Sequence, residues 1–302
     1  MDRRVASATG MMILAAVLWG FSGFFSRGIM SHGYSPYDVT TVRLVLSCLI
    51  LFVILALFDR KAFRISRKDI PMFLFFGLMK LLSDLTLFIG QESINLSVST
   101  TLQTMSPVYV IIITVLVFKA VATFRKVLAV MLSVAGSILV TGVLTDPGNI
   151  VIYGVLASAT SGLTYAIYTI GAKISVTKGY TPSGALFWMF LVSAVLSLPF
   201  GNFAGVMEAA CADLELMGTC IGMAVLITLA PYWLQLMSLD YLDPNTVNII
   251  GVLEVVVASM LGFIVYGENI SISNLLGMVL VCLAIILSEE RRRGPKLVTD
   301  NS

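Results

Sequence analysis

Residues 8–31 read ATGMMILAAVLWGFSGFFSRGIMS, a run of 24 residues with a single charge, Arg27. As a helix rising 1.5 Å per residue it spans about 36 Å, enough to cross roughly 30 Å of hydrocarbon. It follows Arg3 and Arg4, as the apolar region of a secretion signal would. It is too long for one, and nine similar runs come after it. They cover residues 37–58, 70–91, 96–118, 124–143, 151–174, 181–200, 216–238, 244–266 and 272–288.

The whole chain agrees with that reading. Of its 302 residues 58% are hydrophobic and 12% charged, and the mean hydropathy is +0.97. A soluble domain carries about 25% charged residues, and disorder needs still more charge and less hydrophobicity. The spans leave no room for a sizeable soluble domain. The expected fold is an all-α integral membrane protein of ten transmembrane helices. A net charge of +2 is too small to imply nucleic acid. Cys48, Cys220 and Cys282 fall inside apolar runs and only Cys211 in a loop, which is neither a disulfide framework nor a metal-ligand spacing.

Charge then orients the chain. With ten spans, Arg3, Arg4, the 60–68 loop, Lys119, Arg125, Lys126, Lys173, Lys178 and the tail from Arg291 to Lys296 share one face, holding 16 of the 19 Lys and Arg residues. The opposite face carries His32, Glu92, Asp146, Glu208, Asp213 and Glu268 and no Lys or Arg. Cytoplasmic loops are the basic ones, so a multi-pass protein of the inner or plasma membrane with both termini cytoplasmic is expected.

The halves also echo each other. Gly33-Tyr34-Ser35-Pro36 and Gly179-Tyr180-Thr181-Pro182 lie 146 residues apart, and residues 106–140 align with 254–288 at an offset of 148. Two five-span repeats are expected, over 1–147 and 148–289, with a basic tail at 290–302. Because five is odd, the second repeat enters the membrane from the other face. Inverted repeats of this kind place a binding site near the midplane, exposed alternately to either side.

Short motifs add a resemblance. Leu18-Trp19-Gly20-Phe21-Ser22-Gly23, Arg43-Leu44, Ser106-Pro107, Leu253-Glu254 and Tyr266-Gly267-Glu268 resemble, in order and spacing, the EamA-type members of the drug/metabolite transporter superfamily. The resemblance covers nearly the whole chain. It implies a secondary transporter of small metabolites, commonly an exporter of amino acids or related compounds. Two departures stand out: Lys119-Ala120 where the family often has Gly-Glu, and Glu254-Val255 where it often has Glu-Pro. The second removes the proline that would break the ninth span.

A charge at a helix centre in the bilayer costs at least about 2.5–3.5 kcal/mol, so such residues are paired, wet or functional. Lys80 and Asp84 share one helix face. They read either as an internal salt bridge or as a cavity pair, Lys80 for a carboxylate and Asp84 for an amine. Glu254 reads as an amine acceptor or proton carrier, or as a structural acid. Trp19, Tyr165, Tyr168 and Trp233 lie deep in their spans, as core packing or as a cavity wall with cation–π capacity. Gln103 offers a neutral hydrogen bond. Pro107 and Pro231 are expected hinges, and Arg43 a snorkelling or packing residue. Lys80 is therefore expected to matter more to transport than Arg43.

Enzyme chemistry is not expected. His32 is the only histidine, so no His-based triad or multi-histidine metal site can form in one chain. There is no GxxxxGK[ST] phosphate loop, and no cofactor is expected. The expected partners are a small-molecule substrate and the lipid bilayer, with the chain a monomer or weak homodimer. A multidrug or organic-cation exporter is the alternative, and a passive channel or scramblase a more distant one.

Overall fold

A computed structural model describes residues 3–94, 96–144, 151–266 and 271–288. Asp146, Gly267, Glu268 and the 290–302 tail lie outside the described residues. Every regular element among the described residues is helical. The first half comprises α1 (Arg3–Gly20), α2 (Ser22–Met30), α3 (Pro36–Phe58), α4 (Ile70–Ser93), α5 (Leu96–Gln103), α6 (Ser106–Phe118) and α7 (Phe124–Thr141). The second comprises α8 (Ile152–Thr177), α9 (Pro182–Ser197), α10 (Phe203–Ala212), α11 (Leu214–Gly222), a π-helical segment Met223–Leu229, α12 (Ala230–Leu239), α13 (Pro244–Gly251), α14 (Leu253–Tyr266) and α15 (Ile272–Ser288).

Among the described residues seven helical stretches are long and apolar enough to cross a membrane: Arg3–Met30, Pro36–Phe58, Arg67–Ser93, Val98–Phe118, Phe124–Thr141, Leu214–Tyr241 and Pro244–Val265. The sequence reading expects ten. The difference falls on α9 and α15, which have only 16 and 17 residues, and on α8, whose 26 residues are diluted by Gly, Ser and Thr. The all-helical, multi-span architecture stands; length and composition support seven spans.

The two GY[ST]P turns are built alike. Gly33 and Gly179 adopt φ of +87° and +91°, a region that favours glycine. Pro36 and Pro182 then open α3 and α9, whose N-caps are Ser35 and Thr181. Ser35 forms a reciprocal capping box with Asp38. The first turn begins α3. The second packs against the segment beyond α3's far end, where Ser66 N–H donates to the Tyr180 hydroxyl (3.1 Å). A 23-residue helix is about 35 Å long, so the two turns occupy opposite ends of the molecule.

Each turn is tied to an aspartate at the head of another helix. His32 Nε2 meets Asp213 Oδ2 at 3.1 Å and its Nδ1 meets the Gly28 carbonyl at 2.9 Å. Asp213 caps α11 by accepting from the N–H groups of Glu215 and Leu216. At the other end Lys178 Nζ meets Asp69 Oδ1 at 2.5 Å, and the Tyr180 hydroxyl donates to Asp69 Oδ2 at 2.7 Å.

The helices pack as two bodies. α1 lies on α12, α13 and α14, while α4 and α8 lie on each other and on α5, and α6 lies on α8. α3 and α9 bridge them, and α7 pairs with α15. Glycine sets the α7–α15 distance: a Cβ on Gly136 would meet the Gly277 carbonyl at 2.9 Å, and one on Gly277 would meet Val140 N at 2.6 Å.

Two outcomes follow. Gly136→Leu is expected to lower the thermal unfolding midpoint, with overpacking worth about 1–3 kcal/mol; an unchanged midpoint would show that this contact does not set the packing. Both His32 nitrogens face acceptors, so the bond to the Gly28 carbonyl and then the Asp213 contact raise its pKa above the ordinary 6.5. The clamp therefore stabilises fully below about pH 6.5 and fades as pH rises through the higher folded-state value. His32→Gln should lower the midpoint more at pH 5.5 than at pH 8.5.

Candidate functional site

Three helical rods are interrupted within their length, at Phe21, Met105 and Val252. Each interruption consists of two successive i→i+3 bonds centred on one residue. At Phe21 these are Phe21 N to Leu18 O (3.1 Å) and Phe24 N to Phe21 O (3.0 Å). At Met105 they are Met105 N to Leu102 O (3.4 Å) and Val108 N to Met105 O (2.9 Å). At Val252 they are Val252 N to Ile249 O (3.2 Å) and Val255 N to Val252 O (3.1 Å). Such mid-helix tightening re-aims side chains and often marks a hinge. The Met105 and Val252 breaks fall within one residue of each other in the 148-residue repeat register. Proline follows only the first of them, as Pro107, so span 9 breaks without one.

These breaks line a cavity of about 740 Å³, within the usual range for small-molecule sites. Its inner end is formed by Trp19, Arg43, Asp84, Tyr165, Tyr232 and Glu254. Its walls run to Arg27, Met30, Pro36, Glu92 and Val265, on the face that carries His32. Toward the basic face lies the main apolar core, including Met12, Phe73, Phe76, Tyr168, Met189, Phe190, Leu236 and Leu239.

Buried charge is concentrated at the inner end. Asp84 accepts from Lys80 Nζ (2.5 Å) on one oxygen and from Arg43 Nη2 (3.0 Å) on the other. Lys80 is fully buried, and its ammonium also lies 4.5 Å from the centroid of the Tyr232 ring. The triad carries two cations and one anion, a net single positive charge. Half-buried Glu254 lines the same cavity within electrostatic reach of Arg43. It makes no hydrogen bond or ion pair among the described residues.

Aromatic rings complete the inner end. Trp19 packs edge-on against Tyr232 (5.0 Å) and Tyr165 (6.4 Å). Gln235 Nε2 donates to the Tyr165 hydroxyl at 2.8 Å. Gly20 permits the approach of α14, since a Cβ there would lie 2.5 Å from Val257 Cγ1 and 3.2 Å from the Glu254 carbonyl. Ser106 donates to Asn248 Oδ1 (2.8 Å) and Asn245 to the Pro107 carbonyl (3.0 Å), fastening the two broken rods. Among the cavity-lining residues, Trp19 Nε1 and Arg43 Nε are buried donors with no acceptor among the described residues. Buried donors normally find one, so each calls for a reason.

Of the residues singled out from sequence, Trp19, Asp84, Gln103, Tyr165 and Glu254 line the cavity. Lys80, Tyr168 and Trp233 do not. Lys80 lies one turn from Asp84, on the core side. Tyr168 is fully buried behind Tyr165, and Trp233 packs against the main core. Arg43, expected as packing, reaches the cavity wall because Asp84 draws its guanidinium inward. Pro107 and Pro231 stand in the first turns of α6 and α12, just after the break and the π segment.

Tyr232 was missed. It and Gln235 are three apart and share a helix face that Trp233 does not, so spacing from Gln235 would have selected it. Arg27 was missed too, although it aligns with Lys173 in the same 146-residue register as the GY[ST]P turns.

A helical membrane protein with a charged cavity enclosed by duplicated halves is a transporter architecture. The comparisons narrow it: the profile of the EamA-like transporter family matches residues 7–142 and again 152–289, and the chain belongs to that family. It is 26% identical over 294 residues to the uncharacterized inner membrane transporter YicL of Salmonella typhimurium, covering 94% of this chain and 96% of that one. An uncharacterized transporter of Archaeoglobus fulgidus is 24% identical over 281 residues, covering 92% and 94%. A solved crystal structure at 14% identity shares the fold, with a TM-score of 0.71 over 93% of this chain and 96% of that one.

The triad makes a stability prediction. Asp84→Asn leaves two buried cations facing each other and should cost about 3–5 kcal/mol, the usual penalty for breaking a buried ion pair. Lys80→Met leaves the Arg43–Asp84 pair intact and should cost less. Denaturant unfolding of both variants gives the order; the reverse order would show that Asp84 is not the hub.

Proposed function

We propose that this transporter carries a small zwitterion of the amino-acid type by alternating access, and that the structure is the state open to the His32 face. One observation carries the reading: Arg43 and Asp84, members of a net-positive cluster completed by Lys80 behind them, line the same cavity as Glu254, a carboxylate with no hydrogen bond or ion pair among the described residues. A substrate carboxylate would meet the Arg43 guanidinium where it reaches the cavity wall. Its ammonium group would meet Glu254, beside the Tyr165 and Tyr232 rings. A lone organic cation would leave the Arg43 donors unmet, so the zwitterion is preferred over a cationic drug.

With the basic face cytoplasmic, the cavity opens outward and both termini lie on the cytoplasmic side of the cell membrane. Ten spans in two inverted halves fit this arrangement, since the two GY[ST]P turns stand at opposite ends. No ATP is needed: a carrier that rocks between two openings runs on gradients, export or import being set by their direction.

The test is counterflow in proteoliposomes of purified protein, loaded in turn with amino acids, their deaminated acids and their decarboxylated amines. Wild type should exchange the zwitterions. Glu254→Gln should weaken zwitterion binding by about tenfold or more, the value of a charge-assisted hydrogen bond, and leave the deaminated acids less affected. Arg43→Lys, which loses the guanidinium fork, should raise the half-saturating concentration more than Lys80→Met does, reversing the ranking drawn from sequence. Exchange of amines alone would replace the zwitterion with a cation, and non-saturating flux would replace the carrier with a channel.

A further inference from the structure

The loop between α3 and α4 packs Arg60, Lys61, Arg64, Arg67 and Lys68 into one short stretch at the basic face. Its acids offset little of that charge. Asp69 is taken by Lys178 Nζ and the Tyr180 hydroxyl, which leaves Asp59. All five cations are exposed. The side chains of Lys61, Arg64, Arg67 and Lys68 make no hydrogen bond or ion pair among the described residues.

The loop is fixed in place. It forms two short 3-10 turns, Arg60–Phe63 and Arg67–Asp69. Between them Ala62 is buried, and the Phe63 ring packs on Phe187 of α9 (5.0 Å) and Phe52 of α3 (5.4 Å). Ser66 N–H is held by the Tyr180 hydroxyl. Like charges held together on such a platform repel one another, and an anion among them removes that cost.

Apolar surface runs directly into the cluster. Leu57 and Phe58 end α3, Ile70, Leu74 and Phe75 begin α4, and all five are exposed, as lipid-facing residues are. The change to cationic side chains takes two residues at either end, from Phe58 to Arg60 and from Ile70 back to Lys68. Arg60 marks the boundary. Its Nε donates to the Ala56 carbonyl at 2.9 Å, which folds the guanidinium back over the last turn of α3. A guanidinium at that level meets the phosphates of a leaflet, and its fork matches their oxygens.

We infer that the 60–68 loop binds the headgroup of an anionic phospholipid in the leaflet at the basic face. The phosphate sits among Arg60 and the neighbouring cations, and the acyl chains lie along the exposed sides of α3 and α4. The loop joins the helices that carry Arg43 and Asp84 and leans on α9, so a bound lipid fastens the corner where α3, α4 and α9 meet. The site is independent of which solute the transporter carries.

The test is native mass spectrometry and thermal unfolding of delipidated full-length protein in neutral detergent. The protein is titrated separately with phosphatidylglycerol, phosphatidylcholine and inorganic phosphate. Phosphatidylglycerol should form resolved adducts and raise the unfolding midpoint, and the other two should do neither. A variant combining Lys61→Gln, Arg64→Gln, Arg67→Gln and Lys68→Gln should weaken phosphatidylglycerol binding about tenfold or more and abolish the rise. Its lipid-free midpoint should match the parent, since these side chains hold nothing else in the protein. Arg64→Lys with Arg67→Lys keeps the charge and should keep the binding. A charge-matched control combining Arg291→Gln, Arg292→Gln, Arg293→Gln and Lys296→Gln should bind as the parent does. Equal loss in the loop variant and the tail control would reduce the effect to total charge and overturn the site. Undiminished adducts in the loop variant, or an equal midpoint rise with inorganic phosphate, would overturn it too.

Discussion

A single carboxylate organises the inner half of this protein. Asp84 lies within a span, where an unpaired charge is too costly to hold, and it is kept there by Lys80 on its own helix and Arg43 from α3. Meeting that requirement pulls Arg43 to the cavity wall and leaves Lys80 behind it under the Tyr232 ring. Glu254 lines the same cavity within electrostatic reach of that surplus positive charge. Where each charge stands thus follows from the cost of burying the first one.

The backbone obeys the same economy. Helix is the form that satisfies peptide groups in a bilayer, and irregular backbone is tolerated where it lines a polar cavity. The interruptions at Phe21, Met105 and Val252 all border the cavity. Two of them occupy matching places in the repeats, so the inner cavity is built by duplicated hardware. Chemistry differs between the copies: Ser106 in one half corresponds to Glu254 in the other, which makes a nearly symmetric frame carry an asymmetric site. The ties at its ends are duplicated too, with His32 to Asp213 at one end and Lys178 to Asp69 at the other.

Much of this was readable in the linear chain. Ala, Leu, Val and Ile in runs of about 20 residues have few options other than spanning lipid, and the recurrence of GY[ST]P announced two copies. Trp19, Asp84, Tyr165 and Glu254 stood out because deep aromatic and charged residues are expensive in a bilayer. Lys80 was read as a cavity residue and Arg43 as snorkelling or packing, whereas Arg43 lines the cavity and Lys80 stands behind it. Their own helices do not say which of two cations competing for Asp84 will be nearer open space; the crossing of α3 and α4 does. Trp233 was singled out and Tyr232 was not for a related reason, since neighbours on a helix point about 100° apart.

From composition, periodicity and charge asymmetry came the solvent, the all-helical class, the duplication and a short roster of costly buried groups. These are local or summed quantities, carried by each residue wherever the chain goes. Only the tertiary structure decided which of those groups share a cavity, which merely support it, and which face stands open. Those answers depend on distances between helices far apart in sequence, set by glycine contacts such as Gly20 against Val257 and by the pairing of charges across spans. No single stretch of chain contains that information.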